Sequence, residues 1–223
     1  MNAGRRALAD ATLLAVQRRA ASPLRHEMAG ALLVPRMRLQ MLRRQARAGA
    51  PAADVLQAKI DEVIAALDEV QRAQRSAMAW FEQKDEGALA LGDALAHIAS
   101  ALGLAAGERG LRIDWRGGSG AQASHPAQPL GLMLYAGFFH VLDHAPAGSI
   151  VAVDCVATAT GADVRWRFEP EAASGGAGSP PPAAADPVEV LEGDGVSALC
   201  ARYGARFASR ADGANLMLGP GGA

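Results

Sequence analysis

The residues best suited to chemistry lie in Leu24-Arg25-His26-Glu27-Met28-Ala29-Gly30-Ala31-Leu32. A neutral imidazole has a free lone pair near pH 7 and can attack phosphorus. A neighbouring carboxylate, here Glu27, can take the proton from the other ring nitrogen and raise the nucleophilicity of the attacking one. On the dipeptide alone, an ordinary surface histidine beside an ordinary surface glutamate is the simpler reading. Helical geometry adds to it. At about 100° per residue, Leu24, Met28, Ala31 and Pro35 cluster within roughly 60° of one another. His26 falls opposite them, so it faces solvent or a partner. Ser22, Ala29 and Gly30 flank it and are small, which leaves room for another backbone to approach. Leu33 and Met37 share its face; they suit the apolar part of a dock, or packing against a second helix.

Two helices must carry this stretch. The first spans about Ala7 to Arg47, with a bundle-type seam of Leu24, Met28, Ala31, Pro35, Leu39 and Leu42. Pro23 and Pro35 fall inside it and should bend or interrupt it, since each removes a backbone donor. Ala48-Gly49-Ala50-Pro51 ends it and starts the next. The second helix spans about Ala53 to Lys84, with Leu56, Ile60, Val63, Leu67, Val70 and Phe81 in the same period. A lone hairpin cannot cover such stripes. Two hairpins in a four-helix bundle can, so a homodimer is expected.

The remainder changes character. Asp93 to Leu104 and Pro129 to His144 read as helices, and Leu111 to Trp115 as a strand. Ser149 to Val156 and Ala162 to Phe168 read as paired strands. Val196 to Tyr203 reads as a short helix, followed by a closing hairpin of Ala205 to Ala208 and Asn215 to Leu218. Trp115 and Trp166 should pack the core of this part, and Trp80 and Phe81 should anchor the hairpin to it. Glu169 to Pro187 is rich in Ala, Gly, Ser and Pro and reads as a loop. The fold class is α+β, with a hairpin unit over 1–84 and a helix-and-sheet unit over 85–223.

Composition fits this reading. Half of the 223 residues are hydrophobic and only 4% are aromatic, which favours helices packed through aliphatic side chains. The net charge is −1, so no general attraction to nucleic acid is expected. The first 47 residues nevertheless hold ten arginines against Asp10 and Glu27. That basic surface is either a solvated face or a device for steering an acidic partner. Cys155 and Cys200 are isolated, so neither a metal site nor a disulfide framework is expected. No secretory signal or membrane-spanning run is read, which predicts a cytoplasmic protein.

On the first of two long helices, Leu24-Arg25-His26-Glu27 with small residues and Leu32 behind it resembles the phosphoacceptor box of histidine kinase dimerisation domains. The second part resembles the ATP-binding domain of the same kinases. Phe139-His140-Val141-Leu142-Asp143-His144-Ala145-Pro146-Ala147-Gly148-Ser149 aligns with its asparagine-bearing box. Gly193-Asp194-Gly195-Val196-Ser197-Ala198-Leu199 is similar to its glycine box. The resemblance therefore implies a dimeric four-helix bundle followed by a small ATPase-like α/β sandwich.

The departures carry as much information. Where the family has the Mg²⁺-binding Asn stands His140, a poor ligand for a hard cation. Where it has a basic residue near the phosphates stands Asp143. After Phe168, Glu169-Pro170-Glu171-Ala172-Ala173 replaces the adenine-binding Asp-x-Gly-x-Gly box. ATP is therefore not expected as a cofactor, and any Mg²⁺ would come from the partner. The whole resembles bacterial histidine phosphotransferases, in which His26 would relay a phosphoryl group between the aspartates of receiver domains; response-regulator receiver domains and a hybrid histidine kinase are the partners this implies. Arg18, Arg19, Arg25 and Arg36 would steer the acidic receiver pocket. Gly30 replaces the Thr or Asn that orients water in bifunctional kinases, and Ala31 replaces a frequent Pro, so phosphatase activity is not expected. A non-catalytic pseudokinase scaffold and an atypical kinase are the competing readings. His97, His125, His140 and His144 are expected to be structural or exposed.

Overall fold

A computed structural model describes residues 2–49, 52–79, 88–171 and 190–219. The first element, α1, runs unbroken from Ala3 to Ala48. Asn2 caps it by accepting from the Arg5 amide at 2.9 Å, and Gly49 closes it at φ 151°. Pro23 and Pro35 do not interrupt it, contrary to the sequence expectation. Each removes one donor from a long ladder, and Pro35 is buried in the hairpin. The second helix, α2, spans Ala53–Ala79 and packs back along α1. Arg38 on α1 donates to the Glu62 carbonyl of α2 at 2.6 Å, tying the two together. Ala50, Pro51, Trp80 and Phe81 lie outside the described residues.

The seam is narrower than the sequence period suggests. Val63, Ala66 and Val70 are buried, whereas Leu39, Leu56, Ile60 and Leu67 are exposed. One partner helix covers only one side of each stripe, so the rest of the apolar period stays at the surface.

The rest is a helix-on-sheet sandwich. In chain order it contains β1 (Ala88–Ala90), α3 (Leu91–Glu108), β2 (Arg112–Trp115), β3 (Ser124–Pro126), α4 (Ala127–His144), β4 (Ser149–Thr158), β5 (Gly161–Pro170), α5 (Gly193–Arg202), β6 (Arg206–Arg210) and β7 (Gly213–Leu218). The main sheet has the order β2-β4-β5-β7-β6; β2 is parallel to β4 and the other pairs are antiparallel. A small second sheet, β1 with β3, pairs Leu89 with His125. His125 is therefore a buried strand residue. Of the region expected to loop, Glu169 to Pro187, residues 172–187 lie outside the described residues, and Glu169 and Pro170 extend β5.

Period-two alternation explains both faces of the sheet. Val151, Val153 and Cys155 on β4 oppose Phe168, Trp166 and Val164 on β5, and this side joins the core. The other side carries charge, with Arg167 on Asp154 at 2.7 Å and Arg116 on Glu169 at 2.6 Å. Helix α4 is buried along most of its length between the sheet and α1. It comes close at Gly137, where an added Cβ would stand 2.8 Å from the Trp166 ring. Phe138 meets that ring edge-on at 5.5 Å.

The N-terminal half of α1 belongs to this core as much as to the hairpin. Ala9, Thr12, Val16 and Ala20, spaced three and four apart, are buried against α4 and α5.

Candidate functional site

His26 is exposed on α1, on the side away from the buried seam residue Pro35. It lies just beyond the point where α1 leaves the sandwich, and it opens into a cleft of about 440 Å³. One wall is α1, with Arg18, Arg19, Ser22, Pro23 and His26. The other is α3, with Ala101, Leu102, Leu104, Ala105 and Glu108, and Phe139 of α4 closes the floor. Arg18, Ser22 and His26 are four apart and so form one stripe along this wall.

The remaining positions singled out by sequence are distributed along the same helix. Arg18, Ser22, Arg25, Ala29 and Gly30 are exposed. Leu33 and Met37 are 55% and 53% exposed and continue the His26 face past the cleft. The Glu27 side chain lies outside the described parts of the structure.

Arg19 departs from the sequence expectation. It is turned inward, not presented to a partner. Its guanidinium meets Asp143 with two bonds, Nη1 to Oδ2 at 2.5 Å and Nη2 to Oδ1 at 2.8 Å. It also lies over the Phe139 ring, 4.4 Å from the centroid. Arg109, just past the end of α3, gives a third bond to Asp143 at 2.7 Å, and the Leu191 amide gives a fourth at 2.9 Å. The Asp143 side chain is only 1% exposed. Burial alone would raise its carboxyl pKa; Arg19, the Leu191 amide and Arg109 outweigh that and hold it below the ordinary value.

His140 is buried one helical turn earlier. One ring nitrogen faces the Leu191 carbonyl at 2.6 Å and the other faces the Ser209 hydroxyl at 2.8 Å. Burial lowers its pKa, so it is neutral near pH 7. Since the Leu191 carbonyl can only accept, Nδ1 carries the proton and Nε2 accepts from Ser209. Gly195 underlies α1: an added Cβ would stand 2.5 Å from Thr12 Oγ1. Asp10 of α1 and Arg202 of α5 close the same crossing at 2.5 Å. Sequence reasoning missed this whole arrangement. The signal that could have exposed it is the Ala9-Thr12-Val16-Ala20 stripe, a buried face with no partner in the hairpin.

No family model matches the chain, and no curated protein matches it. Solved structures do. The chain is similar in fold to histidine kinases. A histidine kinase from Burkholderia phymatum STM815 covers 100% of both chains at 16% identity and a TM-score of 0.41. The Acinetobacter baumannii histidine kinase AdeS matches over 87% of this chain and 97% of its own, at 9% identity and TM-score 0.43. A bacterial phosphotransferase matches over 91% and 95%, at 14% identity and TM-score 0.42. Likeness at this level carries no activity over to this chain. Among the described residues no cluster of His, Cys, Asp and Glu is arranged to hold a metal ion, and no helix is long and apolar enough to cross a membrane. Cys155 and Cys200 are free and buried.

Proposed function

We propose that this chain is a histidine-containing phosphotransferase of a bacterial two-component phosphorelay, acting through His26 without ATP. The observation that carries the reading is the exposed His26 imidazole at the open edge of a cleft, with Arg18 and Ser22 on the same stripe. In the reaction, an imidazole nitrogen attacks the phosphorus of a receiver's aspartyl phosphate. A P–N bond forms, the acyl-phosphate P–O bond breaks, and the aspartate leaves as a carboxylate. The proton on the other ring nitrogen passes to Glu27 or to water. Return transfer to a second receiver reverses these steps. The Mg²⁺ that screens the phosphoryl oxygens belongs to the receiver's acidic pocket. Arg18 and Arg25, both exposed, are the cations available to that pocket.

The proposed independence from ATP rests on where the box residues stand. His140 has both ring nitrogens engaged, Asp143 has all its acceptor capacity directed at internal donors, and α1 lies across Gly195. A magnesium triphosphate would have to displace each of these contacts and then meet a carboxylate. These residues do not fit it.

A homodimer completes the proposal. Leu33, Met37, Met41, Val55, Ile60 and Ile64 leave an apolar surface on the hairpin that a second hairpin would cover. The test is to incubate the protein with a phosphorylated receiver domain, or with labelled Mg-ATP alone. Acid-labile label from the receiver, absent in His26→Ala, supports relay. Label from ATP alone identifies an atypical kinase instead. Receiver binding without label identifies a scaffold.

A further inference from the structure

We infer that Asp143 is a positioning residue for transfer at His26, and that the sandwich stays clamped to α1 while the group moves. The inference rests on the phosphotransfer reading above. Its basis is the junction at Asp143. The cleft beside His26 has two walls, α1 and α3, and one carboxylate is bonded to both. Arg19 reaches Asp143 from α1, seven residues before His26, and Arg109 reaches it from the C-terminal end of α3, next to the wall residue Glu108. Seven residues are two helical turns, about 10 Å, so the clamp lies close enough to fix the cleft's width at His26. Thr12 on Gly195 and Asp10 on Arg202 pin the same helix further back. A sandwich that swung freely about the hairpin would have to break both Arg19 bonds to the buried Asp143 carboxylate at each excursion. Clamped, it gives an incoming receiver a fixed second surface, with the exposed Leu104 opposite the imidazole.

A cross-link tests this directly. The ideal Cβ of Gly195 stands 3.7 Å from the Thr12 Cβ. Disulfides span Cβ separations of about 3.5–4.5 Å. Thr12→Cys with Gly195→Cys should therefore oxidise readily and lock the crossing. Burial pushes the Cys200 thiol up to about 12, so it stays protonated and does not compete. The probe is a receiver domain charged from labelled acetyl phosphate, used below saturation, at a temperature where circular dichroism shows every variant folded.

The locked protein should label His26 within about twofold of wild type. Asp143→Asn should slow labelling about tenfold or more, and adding the same engineered disulfide to Asp143→Asn should restore it to within about threefold. Loss of transfer in the locked protein, recovered on reduction, would overturn the inference while leaving the phosphotransfer reading intact. So would wild-type labelling by Asp143→Asn, a slow Asp143→Asn variant that the lock fails to restore, or failure of the two thiols to join. Absence of label on wild type from every receiver tried would overturn both.

Discussion

Replacing Asp143 by Asn, a side chain of the same size, should cost about 3 kcal/mol of stability. The magnitude follows from the bonds. Oδ1 accepts from Arg19 Nη2 and Arg109 Nη1; Oδ2 accepts from Arg19 Nη1 and the Leu191 amide. Whichever oxygen becomes an amide, two donors lose their acceptor and face another donor. A hydrogen bond to a charged group contributes about 1.5–3 kcal/mol, and stripping one partner from a buried ion pair costs about 3–5 kcal/mol. Arg19 and Arg109 keep 14% and 21% of their side-chain surface, so water relieves part of the loss and the lower end applies. For a chain of this size, each kcal/mol lowers Tm by roughly 2–4 °C, which gives about 6–12 °C. The pH dependence adds a second check. The native carboxyl pKa is depressed from 3.8, so the unfolded state takes up the proton first as pH falls. Its stabilisation is present above about pH 4 and is lost as pH drops through the native value. The gap between wild type and Asp143→Asn should thus be level from pH 5 to 8 and close below pH 4. Urea unfolding across that range measures it. A gap under about 1 kcal/mol at pH 7, or one that stays level to pH 2, would refute the reasoning.

Gly213→Ala should prevent stable folding of the sandwich, because at φ 148° its Cβ would fall 1.9 Å from the Trp166 carbonyl oxygen; thermal melts of the soluble fraction check this. Leu33→Glu with Met37→Glu should shift the chain from dimer to monomer in light scattering while leaving its circular dichroism unchanged. His140→Asn should not create Mg-ATP binding, because Asp143 remains beside the site. It should lower stability by about 1–3 kcal/mol through the loss of the paired contacts to Leu191 and Ser209; isothermal titration that found micromolar binding would contradict the first part.

Much of this was legible in the sequence where local periodicity governs. The outward direction of His26 follows from helical spacing, and the strand pairs of β4 with β5 and β6 with β7 follow from alternation and turns. The misread features depend on distant partners. Arg18 and Arg19 are identical in type and adjacent in sequence, yet one is exposed and the other is clamped to a carboxylate 124 residues away. Asp143 read only as an acid where the family has a base, because Arg109 and Arg19 join it only in the folded chain. Leu39, Leu56, Ile60 and Leu67 match the seam period, but periodicity does not say how many helices share a seam. Strands β1 and β3 are three residues each and too short to show alternation.

The central claim is that His26 receives a phosphoryl group from an aspartyl phosphate. Phosphorus NMR of the protein mixed with a phosphorylated receiver reads that transfer directly. The expected result is a phosphohistidine resonance that grows as the acyl-phosphate signal decays, survives alkali, disappears in acid and is missing from His26→Ala. A phosphohistidine signal that persists in His26→Ala, or decay of the acyl phosphate to inorganic phosphate alone, would contradict it.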